Sequence, residues 1–341
     1  MEMSRTRSTI QSSALANSGA HLKRCRALAL AAAAFLLMAA TPDAHAQTNT
    51  IKIIVPSTAG GGADIVSRLL ADQIGRTQGA TIIVENRPGA GNTIGTEAAS
   101  RAAPDGNTVL ISTPEFVINS HLRKLSYDPL TSFESVCYLA RSPQFFVVNA
   151  ASPYHTFAEF LDAARAKPGE LNLASPGPAS SPHIAFEALR RAAKVDITYV
   201  PYPGSAPAVN ALMGGHVNSV LTSYPNVVGQ LKSGQLRALA VTSLSRAEQF
   251  PDVPTVAESG FKDFEADLWF GTAVPAKTPP EAIARLSGWF RAALQAPEVK
   301  SKLEAQGLFS VGTCGADFSA FIRKQYEQFG RTIREANIKP Q

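Results

Sequence analysis

Short apolar runs alternate with helix-period segments along most of the chain. IKIIVP (Ile51–Pro56) is such a run; the Gly-rich STAGGGA follows it, and then a stretch in which Ile65, Leu69 and Ile74 recur on one side of a helix. TIIVE (Thr81–Glu85) leads through NRPGAGN to a second helical pattern, and TVLIS (Thr108–Ser112) completes the set. A second set begins after Arg141-Ser142-Pro143. QFFVVN, LNLAS, ITYVP, VNSVLTS and LRALAVTS read as strands, and TFAEFLDAARAK, SPHIAFEALRRAA and APAVNALMGG as helices, closing near Gly260. DLWFGTAVP is a further strand. TPPEAIARLSGWFRAALQ, PEVKSKLEAQG and DFSAFIRKQYEQFGRTIREA are helices, the first opening on Pro and the second ending on Gly. This alternation predicts α/β architecture with mainly parallel sheets flanked by helices. A chain that leaves one such unit, builds a second and ends in helices predicts two lobes, with the C-terminal helices returning to the first.

The first 46 residues stand outside this rhythm. Leu22–Ala46 has the zones of a secretory signal: basic LKRCR, apolar ALALAAAAFLLMAA, and the small-residue site Ala44-His45-Ala46, with cleavage expected after Ala46. The apolar run is shorter than the ~20 residues a membrane span needs, so the protein is expected to be exported to the periplasm. Cys25 precedes the apolar run, where a lipid-attachment cysteine would not lie. The leader also carries much of the formal charge of +5. Without Arg5, Arg7, Lys23, Arg24, Arg26, Glu2 and Asp43, 27 basic and 25 acidic residues remain, a balance too neutral for a nucleic-acid binder. With 45% hydrophobic and 17% charged residues, the 341-residue chain has the apolar surface for two domains. Only Cys137 and Cys314 follow the leader, too few for a disulfide scaffold. Export permits a bridge between them, and two isolated buried thiols are the alternative. His121, His155, His183 and His216 share no metal spacing, so neither a metal nor a cofactor is expected.

Four Gly-containing turns between a strand and a helix carry the candidate chemistry. Pro56–Asp64 (PSTAGGGAD) has three consecutive glycines, which let backbone approach a ligand and leave N–H groups at a helix N-terminus free for an anion; Asp64 either caps that helix or accepts from ligand or loop. Gly89–Gly95 (GAGNTIG) resembles a dinucleotide fingerprint, but the next strand ends Ile111-Ser112-Thr113 without the required acid, and no Lys-Ser or Lys-Thr makes a P-loop. Ala174–His183 (ASPGPASSPH) holds Ser181 and His183, a nucleophile and base in a hydrolase reading and a helix cap with a structural hydrogen-bonder in the plainer one. Val200–Pro207 (VPYPGSAP) is the fourth. In open α/β sheets ligands sit beyond the carboxyl ends of strands, so turns from both lobes can face one cleft. Its lining is polar but, Arg87 and Asp64 apart, uncharged, which favours binding over catalysis.

The series IVPSTAGGGADIVSRLLA, VENRPGAGNTIGTEAASRAAPDGNTVLIST, YVPYPGSAPAVNALMGGHVNSV, LRALAVTSLSRAEQFPDVPTVAESG and WFGTAVPAKTP resembles the Bug family, the extracytoplasmic receptors of tripartite tricarboxylate transporters, from about Ile51 to the C-terminus. The resemblance implies a two-lobed periplasmic-binding-protein fold of the Venus-flytrap type, with crossing strands between lobes. Residues 47–144 and 265–341 would form lobe 1, and residues 145–264 lobe 2. It further implies a monomer without enzymatic activity that captures a small organic carboxylate and delivers it to membrane permease subunits; a ligand sensor for a signalling partner is the alternative. The site it implies comprises Ser57, Ala59, Gly60, Gly61, Asp64, Gly91, Asn92, Thr93, Thr113, Ser175, Gly177, Ser180, His183, Tyr202, Gly204, Ser205 and Ser223. The chain departs from the family pattern at Ser57, often Phe; at Pro203, where Lys is usual; at Pro176 and Pro178; and at Ser223-Tyr224, where Asp or Asn is common. Fewer charged groups point to aromatic or largely apolar monocarboxylates, with Tyr202 and Tyr224 stacking on a ring unless Tyr224 packs in the lobe core.

Overall fold

The structure is a computed structural model that describes residues 50–339; the leader and its cleavage site after Ala46 lie outside the described residues. Two sheets organise the chain. The first takes β1 (Thr50–Val55), β2 (Thr81–Asn86), β3 (Thr108–Ser112), β4 (Phe133–Ser142), β10 (Leu268–Pro275) and β11 (Phe309–Cys314) in the order β11-β4-β10-β3-β1-β2. The second takes β5 (Gln144–Asn149), β6 (Asn172–Pro176), β7 (Thr198–Tyr202), β8 (Ser219–Ser223) and β9 (Leu236–Val241) in the order β7-β6-β8-β5-β9. Ile53, Val55, Val109, Ile111, Val136 and Leu139 are fully buried, because strands covered on both faces have no solvent side to keep polar.

Helices α1 (Gly62–Gln78), α2 (Thr93–Ser100) and α3 (Glu115–Leu122) follow the first three strands. In the second lobe α4 (Phe157–Ala166), α5 (Ser181–Ala193), α6 (Ser205–Met213) and the short α7 (Val228–Lys232) alternate with strands. The closing helices α8 (Pro280–Gln295), α9 (Pro297–Ala305) and α10 (Ala316–Glu335) return to the first sheet: Leu286, Phe290 and Leu303 join the cluster around Ile53 and Val66, and Phe318 and Ile322 join Leu110 and Trp269. Among the described residues no helix is long and apolar enough to cross a membrane.

The two-lobed α/β plan agrees with the sequence, but the sheets are mixed. β1 pairs in parallel with β2 and β3, and β6 with β7 and β8, whereas β10 runs antiparallel to β3 and β4, β11 to β4, and β5 to β8 and β9. The reversed strands are those that carry the chain between sheets or end it. β4 passes into β5 through Pro143, and the return enters β10 after Asp267. Four elements, α3, β4, α7 and β11, have no counterpart in the sequence reading; β11 is a partly exposed edge strand with an internal Gly and a register shift.

Tertiary structure resolves the thiol question. Cys314 faces Cys137 in the β11–β4 register, and a disulfide joins them across 177 positions of sequence.

The crossing between lobes is hydrogen-bonded on both sides. Thr242 N–H donates to Gln144 O, Gln144 N–H to Thr242 Oγ1, and Ala266 N–H to Thr242 O. Beside them Arg141 Nη1 lies 2.7 Å from Asp267 Oδ2. Burial raises the pKa of Asp267, and the Arg141 charge opposes that rise. Tyr224 N–H donates to Pro143 O, and Tyr224 leaves so little room beside Gly307 that a Cβ there would lie 2.0 Å from its ring.

Candidate ligand-binding cleft

The first lobe supplies the β1–α1 turn, with Ser57, Ala59, Gly60, Gly61 and Asp64. Gly60 has φ 83°, a conformation that favours glycine, and its N–H donates to Asp64 Oδ2 at 2.9 Å. Asp64 is therefore a loop clamp inside the first turn of α1 rather than its cap, which is Gly61. It is buried, and Arg68 Nε donates to both its oxygens at 3.0 Å. Burial opposes its ionisation, but the bonds from Arg68, Gly60 and Asn86 outweigh that and hold its carboxyl below the ordinary value.

The amides of Gly62, Ala63 and Asp64 find no protein acceptor among the described residues; the first intrahelical bond runs from Ile65 N–H to Gly61 O. In the same turn Ser57 Oγ is buried and also without a partner. Gly95 seats α2 against this turn, since a Cβ there would lie 2.8 Å from Pro56 Cα. Gly91 and Asn92 form a left-handed kink before Thr93, the first residue of α2. Asn92 Nδ2 donates to Thr113 Oγ1 at 3.3 Å, tying that kink to the buried end of β3.

The second lobe's β6–α5 turn is built differently. Ser175 is fully buried and donates to Tyr199 Oη, which donates to Gly177 O. Ser180 caps α5 by accepting from His183 N–H, and donates to Gly177 O. Ala179, at φ 61°, donates its N–H to His183 Nδ1 at 3.1 Å. The left-handed geometry of this non-glycine residue is paid for by that bond. His183 Nδ1 is thus an acceptor, and its ring stacks on Tyr199 at 3.9 Å between centroids. Burial pulls its pKa down to about 4, with the Arg190 charge adding to the effect. Glu187 Oε1 lies 3.8 Å from His183 Nε2, too far for a hydrogen bond, and its other oxygen is held by Arg190 at 2.8 Å. That leaves burial dominant. The imidazole does not make the hydrogen bond to Ser181 that a hydrolytic nucleophile needs.

Tyr202 ends β7, Gly204 caps α6, Ser205 opens it, and Ser223 ends β8, where its hydroxyl accepts from Asn226 Nδ2 at 2.9 Å. For Tyr224 the structure takes the lobe-core alternative over ring stacking. The side chain is buried against Phe145 and Phe250 in the core of the second lobe and is closed to a ligand.

One residue that the sequence reading missed bridges the two lobes. Glu115 opens α3; its Oε2 accepts from Thr113 Oγ1 at 2.7 Å, and its Oε1 accepts from Ser181 N–H at 3.2 Å. Below it Ile118 and Leu122 of α3 meet Ala179 and Ile184 of the α5 region and Ile333 of α10. An acid three residues after a strand end was a usable signal, but nothing local distinguished it from a surface residue. A separate cavity of about 570 Å³ lies between α5, α10 and the crossing segment, lined by Tyr138, Asp267, Trp269, Lys324 and Phe329 among others. Ser181 lines it as well, whereas the residues of the implied ligand site do not.

Two α/β lobes joined by crossing strands, with ligand-type turns at the carboxyl ends of their parallel strands, define a periplasmic solute-binding-protein fold. The chain belongs to the tripartite tricarboxylate transporter receptor family, whose model matches residues 66–338. It is 33% identical over 292 residues to Protein BugT of Bordetella pertussis, covering 85% of this chain and 90% of that protein. Among solved structures it is similar to the periplasmic binding protein BugD (32% identity, TM-score 0.74, 86% of this chain and 99% of that one). It is also similar to R. palustris Rpa4515 with adipate (30% identity, TM-score 0.77, 86% and 98%).

Proposed function

We propose that this protein is exported, with its leader removed after Ala46, and captures a small organic carboxylate in the interlobe cleft for delivery to the membrane permease of a tripartite transporter. The observation that carries the reading is the start of α1. The free amides of Gly62, Ala63 and Asp64 and the buried, unpartnered hydroxyl of Ser57 belong to one strand-to-helix turn. A carboxylate placed there receives oriented donors and the positive end of a 17-residue helix without a basic side chain. The adipate of the similar Rpa4515 structure fits the same ligand class. Asn92, Thr93 and Thr113 border this turn, and Gly177, Ser180, Tyr202, Gly204, Ser205 and Ser223 form the facing side. Residues 47–144 and 265–341 then act as one lobe and residues 145–264 as the other, hinging at Pro143 and Asp267. The protein acts as a monomer that binds without chemical turnover.

Mass spectrometry of the solute that co-purifies with the exported protein, followed by titration calorimetry with that solute, tests the reading. A carboxylate is expected, and its affinity should vary little with ionic strength because the interactions are buried. A co-purifying solute without an acid group, with no carboxylate binding above background, would overturn it.

A further inference from the structure

We infer that Glu115 sets the charge of the ligand: its carboxylate fills the place at the start of α5 where a second ligand carboxylate would bind, so the cleft selects a monocarboxylate whose far end donates a hydrogen bond. The inference rests on the carboxylate-capture reading and narrows it.

At the start of α5 the backbone donors are already used. Ser181 N–H goes to Glu115, Pro182 has none, His183 N–H goes to Ser180 Oγ, and Ile184 N–H goes to Ser180 O. In the preceding turn Gly177 N–H is held by Ser175 O and Ala179 N–H by His183 Nδ1, while Pro176 and Pro178 have no N–H. A ligand carboxylate arriving there would have to displace Glu115.

The two cleft acids also differ in compensation. Asp64 is neutralised by Arg68 at 3.0 Å, whereas no Lys, Arg or His among the described residues lies within ion-pair distance of Glu115. Glu115 instead takes one hydroxyl and one backbone donor, which leaves its negative charge uncancelled and part of its acceptor capacity open. A like charge close by in a partly desolvated cleft is strongly unfavourable. An incoming hydroxyl or ammonium would instead find an acceptor. With the first carboxylate on the α1 amides, the ligand is a singly charged acid bearing a terminal hydroxyl, amide or ammonium group.

The test is a calorimetric series on the wild-type protein and on Glu115→Gln, which keeps the shape and removes the charge. Succinate, glutarate and adipate are compared with their ω-hydroxy and ω-amino monocarboxylate counterparts. Wild type should prefer the ω-substituted acids to the dicarboxylate of equal length by at least about tenfold. Glu115→Gln should tighten dicarboxylate binding by about tenfold or more while weakening the ω-amino acids. The wild-type ranking needs no variant. Dicarboxylates binding wild type as tightly as their ω-substituted counterparts, with no gain in Glu115→Gln, would overturn the inference and leave carboxylate capture intact. Binding of no acid by either protein would overturn carboxylate capture and the inference together.

Discussion

The two turns that face the cleft have the same topology, a strand running through a Gly-containing turn into a helix, and opposite states of hydrogen bonding. In the first lobe three consecutive glycines, with no proline after Pro56, leave the amides of Gly62, Ala63 and Asp64 open, while Asp64 shapes the turn from within. In the second lobe Pro176, Pro178 and Pro182 remove donors, and Ser175, Ser180, His183 and Glu115 accept from Gly177, His183, Ala179 and Ser181 in turn. A helix N-terminus is therefore a ligand site only where the surrounding side chains do not cap it first. The lobes differ in covalent bracing as well, since the disulfide lies wholly in the first sheet.

That bracing gives the largest expected effect. Reduction of Cys137–Cys314, or the double substitution to Ser, releases a constraint across 177 positions and should cost about 4–5 kcal/mol on the chain-entropy account. Thermal melting with and without reductant checks it. Loss confined to the first lobe, seen as hydrogen exchange that accelerates in β4 and β11 but not in β6 and β8, would sharpen the contrast; an unchanged melting temperature would remove it.

The next effect belongs to the second lobe. An unfolded histidine takes up a proton near 6.5, while buried His183 does so only near about 4. Between those values the unfolded state binds more protons, so stability falls as pH drops through that window, by about 3 kcal/mol for the full shift. Denaturant melts at pH 7 and pH 4.5 should differ less in His183→Gln than in wild type. Equal pH dependence in the two proteins would show that the buried imidazole does not hold this turn.

The smallest effects come from single side chains in each turn. Asp64→Ala removes the acceptor for Gly60 and Arg68 and should cost about 1–3 kcal/mol together with a large loss of ligand affinity, because the open amides lose their frame. Ser180→Ala removes a cap and should cost about 1 kcal/mol with little loss of affinity. Calorimetry paired with chemical denaturation separates the two, and equal affinity losses would break the comparison.

Much of the fold was legible in local pattern. The apolar runs of β1, β3, β5, β6, β8 and β9 and the amphipathic α4, α5 and α8 each announce themselves over a few turns, and Gly and Pro mark their ends. β11 was not legible, because a partly exposed edge strand with an internal Gly has neither a continuous apolar run nor strict alternation. Strand ends alone placed Ser57, Gly60 and Asp64 after β1 and Thr113 after β3. They did not place Tyr224 and Glu115, since a ring's burial and a carboxylate's reach across a cleft depend on residues far away in the chain.

By itself, then, the sequence determined the period of each element, the Gly and Pro content of each turn and, through prolines at 176, 178 and 182, which amides could never donate. Tertiary structure decided the pairings between distant residues: Cys137 with Cys314, Gly307 against Tyr224, and Glu115 with Ser181. The physical reason is range. Propensity and periodicity act over a turn or two of chain, whereas a hydrogen bond or a disulfide requires two groups within a few ångströms, a condition met only after the sheets have formed and the lobes have packed.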